Sequence, residues 1–497
     1  MKIRDDNPVG KRTVIILRLS GELSTKSNQT RKRFHRQLKI NIRDALDREG
    51  ISYELKSHWY RMDVETDDDR AVDVLRRIFG LQALSATQAC LWATMDDVVE
   101  RSVSLNSERV RGKTFAVRAR RAGHRDEMPF TSLDLNRAIG ERLVAAGGTV
   151  QLREPEIEVH LEVRRDDAFY SEEEISCYGG LPTGVEGRAL ALMSGGFDSA
   201  ISSWLMLGRG VELDFVFFDL GGPPHQRAVK KVTRALAERW IYGYAPKIHI
   251  VDFRPILAQM RENVKGRFWQ LLLKRLMVRA THLIAEREGA LAMITGESLG
   301  QVSSQTLVNL TAITHGVPTP VLRPLLGMNK DRIIELSREI GTYDICAGVP
   351  EFCALDGGKP VIKARVQDLD RYEEKLDPAV LQFLVDHGQK LDVLSMDVDE
   401  DPKVEVDHVP KGAVVVDLRN RAAFEGWSYP DAVHLEFEKA LDNFFLLPKN
   451  RAYLFYCDVG LKSAFLAETM VHQGFEALSL KGGLVKLKRL ARKLEKA

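Results

Sequence analysis

The stretch Ala191-Leu-Met-Ser194-Gly195-Gly196-Phe197-Asp198-Ser199 passes from an apolar run into two glycines, an acid and two hydroxyl residues. We predict that the apolar run ends a strand and that a helix begins soon after the glycines. Two adjacent glycines allow a tight turn and a close approach to a ligand, and hydroxyls with free amides at a helix start bind phosphate oxygens. Because the stretch lacks the Walker-loop lysine, amides and hydroxyls would hold the phosphate. The alternative is a plain Gly-Gly turn between a strand and a helix.

The chain around this stretch alternates between strand-like and helix-like segments. We predict strands at 189–193, 213–218, 247–252 and 291–294, and helices at 200–207, 226–240 and 262–287. This alternation predicts a doubly wound parallel sheet with crossover helices. Thr295-Gly296-Glu297-Ser298 follows the last of these strands, as the glycine-containing stretch follows the first. Ligand groups at two strand ends on one sheet edge converge on one crevice.

Length, composition and cysteine spacing limit the class of protein. A chain of 497 residues is too long for one core and predicts three or four domains. We find no apolar run near the roughly 20 residues of a membrane span and no targeting segment, so we expect a cytoplasmic protein without a membrane partner. The cysteines are few and widely spaced, which argues against a disulfide framework or a CxxC zinc site. We expect no resident metal site, and we expect redox or nucleophilic roles for any functional thiol.

The N-terminal part is predicted to be a basic α+β region. Residues 1–60 carry seven more basic than acidic side chains, and a strand at 12–19 precedes a basic amphipathic helix at about 28–49. In Gly112–Arg121, alternation places Phe115 and its apolar neighbours on one face and arginines on the other. A polyanion partner would explain this charge, whereas a solvated helix face and a half-exposed strand are the alternatives.

The order of these N-terminal elements resembles a THUMP domain, an RNA-binding module, preceded by a ferredoxin-like domain. The similarity is carried by the basic strand Phe115–Arg121 and by Val159-His-Leu-Glu-Val163. It implies that basic side chains neutralise RNA phosphates along one shared surface without reading the base sequence. The implied RNA-binding residues are Arg31, Lys32, Arg33, Arg36, Arg118, Arg120 and Arg121.

The central segments resemble tRNA 4-thiouridine synthetases. Ser194–Ser199 is similar to the pyrophosphatase loop of enzymes that cleave ATP between its α and β phosphates, and Thr295–Thr306, Phe217–His225 and Leu273–Arg279 also agree with the family. The resemblance implies ATP, with Mg²⁺ expected to neutralise its phosphates. Asp198 would act through that ion or cap the helix. The residues implied at the nucleotide are Leu192, Met193, Ser194, Gly195, Gly196, Ser199, Lys274, Gly296 and Gln305. Without the family, the residue pattern favours a surface cation on a long helix for Lys274.

The C-terminal segments Ala413–Arg419, Ala452–Ser463 and Gly474–Gly483 resemble a rhodanese domain. Cys457 lies where a strand ends and a helix begins, so loop amides and the helix dipole favour a thiolate or a persulfide there. A structural thiol is the alternative. Cys353 matches the cysteine of a family Pro-Glu-Tyr-Cys segment, which implies that it works with Cys457 as a second catalytic cysteine. Cys346 has no counterpart in that motif, and an inert core thiol remains an alternative for both Cys346 and Cys353.

The resemblances together predict an α/β multidomain chain. Its predicted parts are a ferredoxin-like domain at 1–62, a THUMP domain at 63–168, a doubly wound ATP-binding domain of the adenine nucleotide α-hydrolase type at 175–390, an acidic linker at 391–410 and a rhodanese domain at 411–490. The family implies that ATP adenylates O4 of a tRNA uridine and that sulfur carried on Cys457 replaces this oxygen.

The same resemblance implies several partners and leaves two alternatives. A pyridoxal-phosphate cysteine desulfurase would load Cys457 with sulfur, and a thiol reductant would reduce the Cys353–Cys457 disulfide that remains. Sulfur transfer to a carrier protein for thiazole synthesis is an additional or rival activity. A non-catalytic RNA-binding protein with a decayed nucleotide site is the other alternative.

Overall fold

The computed structural model describes residues 13–58, 61–122, 128–165, 167–347, 349, 360–398, 404–458 and 460–494. The chain divides into two compact units, of which the first comprises the residues up to 186 together with 207–211 and 242–244, and the second comprises the remainder. Within the described ranges, no helix has both the length and the apolar character needed to cross a membrane.

The first unit is an α+β structure built on one large sheet. Its strands are β1 (Thr13–Leu19), β2 (Glu54–Ser57), β3 (Arg61–Thr66), β4 (Leu81–Leu91), β5 (Thr114–Arg121), β6 (Thr149–Val150), β7 (Ile157–Val163), β8 (Asp167–Ser171) and β9 (Ile175–Ser176). Its helices are α1 (Gly21–Ser24), α2 (Asn28–Arg48), α3 (Arg70–Arg76), α4 (Met95–Val110) and α5 (Ser132–Ala145). The strand order is β2-β3-β1-β4-β8-β7-β5-β6, and β9 pairs with β4.

The strand β4 joins the two predicted N-terminal domains into this single sheet. It pairs with β1 on one side and with β8 on the other. The strand β3 crosses the predicted boundary at residue 62 and pairs with β1 along its length. The change from ferredoxin-like to THUMP elements therefore falls after β3, because β3 belongs to the sheet of the first domain.

The second unit contains a central sheet that carries the predicted glycine loop. Its strands are β10 (Arg188–Leu192), β11 (Glu212–Asp219), β12 (Lys247–Asp252), β13 (Ala292–Ile294), β14 (Val321–Leu322) and β15 (Gln389–Asp392). Its helices are α6 (Phe197–Leu207), α7 (Pro223–Trp240), α8 (Arg254–Asn263), α9 (Trp269–Glu288), α10 (Leu307–Thr314), α11 (Lys330–Glu339), α12 (Tyr343–Ala347), α13 (Val366–Glu373) and α14 (Pro378–Asp386).

The order of this sheet, β14-β13-β10-β11-β12-β15, is doubly wound. The chain runs outward from β10 through β11 and β12, and later returns to the other side of β10 through β13 and β14. All these neighbours are parallel except β15, which is antiparallel to β12. The prediction of a doubly wound parallel sheet is confirmed, and the strand order reverses between β10 and β13, where such sheets bind ligands.

One long helix predicted at 262–287 is instead two helices with a break between them. The helix α8 ends at Asn263, Val264 is extended, and a short 3-10 turn at Gly266–Phe268 precedes α9. The break lets both Val264 and Phe268 enter the core, and the Trp269 indole N–H donates to the Val264 carbonyl at 2.8 Å. The prediction of one continuous helix was wrong, because burying Val264 and Phe268 in the core outweighs the hydrogen bonds of an unbroken helix.

The C-terminal part of the second unit is a smaller parallel sheet. Its strands are β16 (Glu405–Val406), β17 (Val414–Asp417), β18 (Val433–His434), β19 (Ala452–Tyr456) and β20 (Glu476–Leu480), in the order β16-β20-β19-β17-β18. Its helices are α15 (Arg421–Gly426), α16 (Phe437–Asn443), α17 (Leu461–His472) and α18 (Gly483–Leu494), and a 3-10 turn lies at Phe444–Leu446.

The ends of the predicted acidic linker are ordered. Its first residues belong to β15, which pairs with β12, and β16 lies near its other end and pairs with β20. Val404 is buried in the core of the small sheet. The linker at 391–410 is therefore shorter than predicted, because apolar residues at its ends complete two sheets despite the surrounding acids.

We predict that Phe215→Ala destabilises the central sheet. The Phe215 side chain in β11 is fully buried, and truncating a buried Phe costs about 3–5 kcal/mol. This corresponds to a fall on the order of 10 °C in the apparent melting temperature of the second unit, measured by scanning calorimetry. Phe383→Ala is the control, because that ring is 57% exposed. Equal melting temperatures for the two variants would contradict the described core.

Candidate functional site

A large cavity opens where the central sheet reverses its strand order. Its volume is about 890 Å³. The residues after β10 and β13 line it, together with the end of β11 and the inner side of α9. The glycine loop and the Thr295–Ser298 stretch thus converge on one crevice, as predicted.

The loop from Ser194 to Ser199 is held by its own hydroxyl groups. The Ser199 hydroxyl donates to the Gly196 carbonyl at 2.9 Å and lies 3.3 Å from the Ser194 hydroxyl. The Gly196 amide donates to the Ser194 hydroxyl at 3.4 Å. Gly195 has φ +81°, a left-handed conformation that favours glycine. This compact turn starts α6 at Phe197 and gives the loop the form of an anion-binding cradle.

Gly296 holds the loop against the end of β13. A Cβ at this position would lie 2.6 Å from the Asp198 carbonyl carbon and 2.9 Å from the Ser199 nitrogen. Both contacts are with backbone atoms, which cannot move aside independently. Gly296 is among the residues implied at the nucleotide, and the close approach that its missing side chain permits here is between two parts of the protein itself. The glycine therefore fixes the relative position of the two loops.

Asp198 lies in the first turn of α6 and is paired with side chains from two other segments. Lys330 Nζ lies 2.7 Å from Asp198 Oδ1, and the Gln301 amide donates to Asp198 Oδ2 at 3.1 Å. Both of these partners are side chains, which does not support the helix-cap interpretation. All three residues line the cavity, so Lys330 and Gln301 join the predicted site.

Lys274 belongs to a buried charge cluster rather than to a free helix surface. Its Nζ lies 3.6 Å from Glu297 Oε1, and Arg323 Nε donates to Glu297 Oε2 at 2.7 Å. Burial disfavours the Glu297 carboxylate, yet the charges of Lys274 and Arg323 and two hydrogen bonds hold its pKa below the ordinary value. Lys274 and Glu297 line the cavity, and Arg323 adds a second cation behind Glu297. This cluster of two cations and one carboxylate is net positive, which suits an anionic ligand.

The apolar part of the cavity carries one unsatisfied polar group. Leu192 and Met193 line the wall at the end of β10. The Gln305 side chain is 7% exposed, and its Oε1 has no hydrogen-bond partner among the described residues. A buried acceptor without a donor is costly, so this oxygen suits a ligand that brings an N–H group. His225 also lines the cavity, and burial lowers its pKa to about 3, so its imidazole is neutral.

The structure describes one of the two cysteines expected near this region, Cys346, but not the other, Cys353. Cys346 in α12 lines the cavity and is buried, and burial raises the pKa of its thiol to about 12. A protonated thiol is a poor nucleophile, so Cys346 contributes to the wall. Cys353 lies outside the described residues, and its pairing with Cys457 remains a prediction.

Cys457 lies in the loop between β19 and α17 of the small sheet. Its side chain is buried, and Sγ accepts a hydrogen bond from the Gly460 amide at 3.2 Å. The Ser463 hydroxyl lies 3.7 Å from the same sulfur. A backbone N–H directed at sulfur at the start of a helix stabilises negative charge on it. A Cβ at Gly483 would lie 2.6 Å from the Cys457 carbonyl oxygen, so the start of α18 packs directly on this loop.

The predicted RNA-binding residues occupy two different surfaces of the first unit. In α2, Lys32, Arg33 and Arg36 are exposed, and Arg31, which is partly buried, hydrogen-bonds Asn28. In β5, the three arginines already have partners: Arg118 pairs with Glu158, Arg120 with Glu174, and Arg121 with the Met128 carbonyl.

One continuous basic surface is not formed by these two groups. Phe34 and Leu38 of α2 pack on the face of the sheet that holds Leu17. The strand β5 turns its apolar residues to that same helix-covered face, so the pleat directs Arg118 and Arg120 to the opposite face. The prediction of a shared surface was wrong. The sequence pattern predicts which residues of β5 share a face, but it does not predict on which face of the sheet α2 packs.

Among the described residues, no group of three or more His, Cys, Asp or Glu side chains gathers in a way that could hold a metal ion.

Family models match this chain in four consecutive segments. They are a ferredoxin-like domain of the ThiI family at 14–85, a THUMP domain at 93–171, Thiamine biosynthesis protein (ThiI) at 184–377 and a Rhodanese-like domain at 403–490. The predicted kinds and order of domains are confirmed.

Several known proteins are similar over most of the chain. A tRNA sulfurtransferase of Pyrobaculum aerophilum is 36% identical over 94% of this chain and 96% of its own length. A tRNA sulfurtransferase of Escherichia coli is 34% identical over 93% of this chain and 98% of its own length. A solved 4-thiouridine synthetase in complex with RNA and bound ATP is 29% identical, with a TM-score of 0.67, and the match covers 76% of this chain and 99% of that one.

We predict that Gly296→Ala loosens the loop at Ser194–Ser199. The added Cβ would clash with the Asp198 and Ser199 backbone, and overpacking of this kind costs about 1–3 kcal/mol. Amides at 194–199 should exchange with solvent roughly ten-fold faster or more, measured by hydrogen exchange and mass spectrometry. Gly327→Ala is the matched control, because a Cβ there meets nothing within 4 Å. Unchanged exchange in Gly296→Ala would contradict the close approach.

We predict that Cys346 resists alkylation at pH 8. Because its pKa is raised to about 12, the thiol stays protonated until the pH approaches that value. Its reaction with iodoacetamide should be roughly a thousand-fold slower than that of the same cysteine in the unfolded chain. The measurement is peptide mass spectrometry after timed labelling of folded and urea-unfolded protein. Similar rates in both states would show that the thiol is neither buried nor protonated as described.

Proposed function

The chain belongs to the tRNA sulfurtransferase family, and we propose on that premise that it makes 4-thiouridine in tRNA by ATP-dependent sulfur transfer. The observation that carries the proposal is the presence, in one compact unit, of two complementary sites. One is the cavity with its anion-binding loop and positive wall, and the other is a cysteine whose sulfur receives a backbone N–H. The first suits activation of a nucleic-acid base by a nucleotide, and the second suits storage of sulfur.

ATP is the nucleotide that we propose for the cavity. The orphaned Gln305 oxygen suits the amino group of adenine, and Leu192 and Met193 supply an apolar wall for the base. The loop amides and the Ser194 and Ser199 hydroxyls would bind phosphate oxygens. Lys274 would add positive charge where negative charge develops as O4 of the uridine attacks the α phosphate. Mg²⁺ would supply further neutralisation of the phosphates, with Asp198 as the nearest acid of the loop.

The sulfur step would follow at the activated carbon. A persulfide on Cys457 attacks C4 of the adenylated uridine, and AMP leaves. Cys353 then attacks the resulting disulfur bond, which frees the thiolated base and leaves a Cys353–Cys457 disulfide. A thiol reductant restores both cysteines. The Gly460 amide supports this role of Cys457, because it stabilises the anionic sulfur needed for attack.

The tRNA would be held by the first unit, with the exposed residues of α2 as its main cationic contact. Lys32, Arg33 and Arg36 are free to meet phosphates, and Arg31 borders them. Arg118, Arg120 and Arg121 would contribute only by exchanging their present partners for phosphate. We therefore propose that α2 supplies more of the salt-dependent affinity than β5.

The sulfur source that we propose is a pyridoxal-phosphate cysteine desulfurase. We also propose a cytoplasmic location, where the protein would meet both this desulfurase and tRNA. A second activity, transfer of sulfur to a carrier protein for thiazole synthesis, is favoured by the match of residues 184–377 to a thiamine biosynthesis family. Cys457 would serve both activities, since the carrier would take its sulfur from the same persulfide.

We predict that Cys457→Ala abolishes 4-thiouridine formation but retains pyrophosphate release. Removing the sulfur carrier leaves the nucleotide cavity intact, so only the second half of the reaction should be lost. The assay contains tRNA, ATP, cysteine and a desulfurase, and it measures near-ultraviolet absorbance of thiouridine together with released pyrophosphate. Cys90→Ala, in the first unit, should retain both products. Wild-type thiouridine formation by Cys457→Ala would refute the mechanism.

A further inference from the structure

The small C-terminal sheet contributes to the wall of the nucleotide cavity. Two residues of its helix α16 line the cavity together with the Ser194–Ser199 loop. They are Glu436, which is the N-cap residue of the helix, and Lys439, which lies within it. Lys439 Nζ lies 3.3 Å from Glu436 Oε2, and the lysine side chain is 67% exposed. The Lys439 ammonium, from the small C-terminal sheet, is therefore present at the cavity and is held by one weak surface ion pair.

A buried ion pair fastens the same sheet to the central one. Arg227 in α7 is 3% exposed and donates to the Glu468 carboxylate in α17. Its Nη1 lies 3.4 Å from His472 Nε2, one turn further along α17. A buried guanidinium needs its partner, because an unpaired buried charge costs several kcal/mol. The contact therefore favours one docked arrangement of the two sheets.

The first turns of α7 carry both a cavity-lining residue and the arginine that pairs with Glu468. His225 lines the cavity and packs edge-on against Phe217, with ring centres 4.7 Å apart. Arg227, two residues later, turns away from the cavity towards α17. Because the helix is rigid, a shift of its first turn would move both the cavity wall at His225 and the ion pair at Arg227.

We propose that the sheet carrying Cys457 docks on α7 through Arg227 and completes the ATP cavity with Lys439, so that ATP binding and docking favour each other. This proposal rests on the proposed function, because it takes ATP as the occupant of the cavity. Docking brings Lys439 to the cavity in a pair with Glu436, and the exposed ammonium can exchange this carboxylate for a phosphate oxygen of ATP. By linkage, the factor by which docking raises ATP affinity equals the factor by which ATP favours docking. The sulfur carrier is thus positioned at the cavity while the activating nucleotide is bound.

Direct ATP binding to the full chain tests the contribution of Lys439. We expect Lys439→Ala to weaken ATP binding about five-fold, measured by isothermal titration calorimetry at low salt. Lys439→Arg should restore most of the affinity. Glu468→Gln should weaken binding about two-fold through looser docking, although Glu468 is not a cavity-lining residue. Lys411→Ala changes an exposed lysine in the turn before β17, and this variant should bind ATP as the wild type does.

Hydrogen exchange tests the reciprocal effect of ATP on docking. In the wild type, ATP should slow amide exchange in α16 and α17, and this slowing should be lost in Lys439→Ala and Glu468→Gln. Wild-type ATP affinity in Lys439→Ala, or ATP protection confined to the Ser194–Ser199 loop, would overturn the coupling. A wild-type protein that does not bind ATP would instead refute the proposed function, so the two failures are distinguishable.

Discussion

The contact on which the site depends is the close approach of two backbone segments at the centre of the main sheet. Without a side chain, Gly296 lies directly against the peptide that joins Asp198 to Ser199. The strands β10 and β13 are neighbours in the sheet, and this contact places the loop after β10 directly against the loop after β13, where the strand order reverses. Both loops line the cavity, together with Lys274 and Gln305. A methyl group on Gly296 would therefore push apart two loops of the cavity wall.

Acidic partners hold the cations at and beside the cavity in place. Lys330 is held by Asp198, and Lys274 and Arg323 are held by Glu297. Such pairs cost desolvation energy, but they keep long cationic side chains in defined positions before any ligand binds. An entering polyanion then compensates charges that are already ordered, and little conformational entropy is lost on binding. Lys274 and Lys330 come from different elements, and both line the cavity.

Periodicity and motif spacing predict most of this architecture, and long-range packing accounts for what they miss. The strands β10, β11 and β12 are evident as apolar runs between helical patterns. The break between α8 and α9 is not evident, because it depends on two apolar side chains reaching a core that the local sequence does not describe. Pairing partners are hidden for the same reason: Lys330 is separated from Asp198 by 132 residues. The loop, Lys274 and Gln305 were found by resemblance, whereas the cavity residues of the C-terminal sheet had no local signal at all.

The close packing of Gly483 on the Cys457 loop gives helix α18 a structural role. The helix α18 begins at that glycine, and buried Leu487 fastens it to the small sheet. The first half of α18 is therefore part of the support of the reactive loop. For anyone preparing the protein, shortening the chain before residue 487 would alter the surroundings of the Cys457 sulfur.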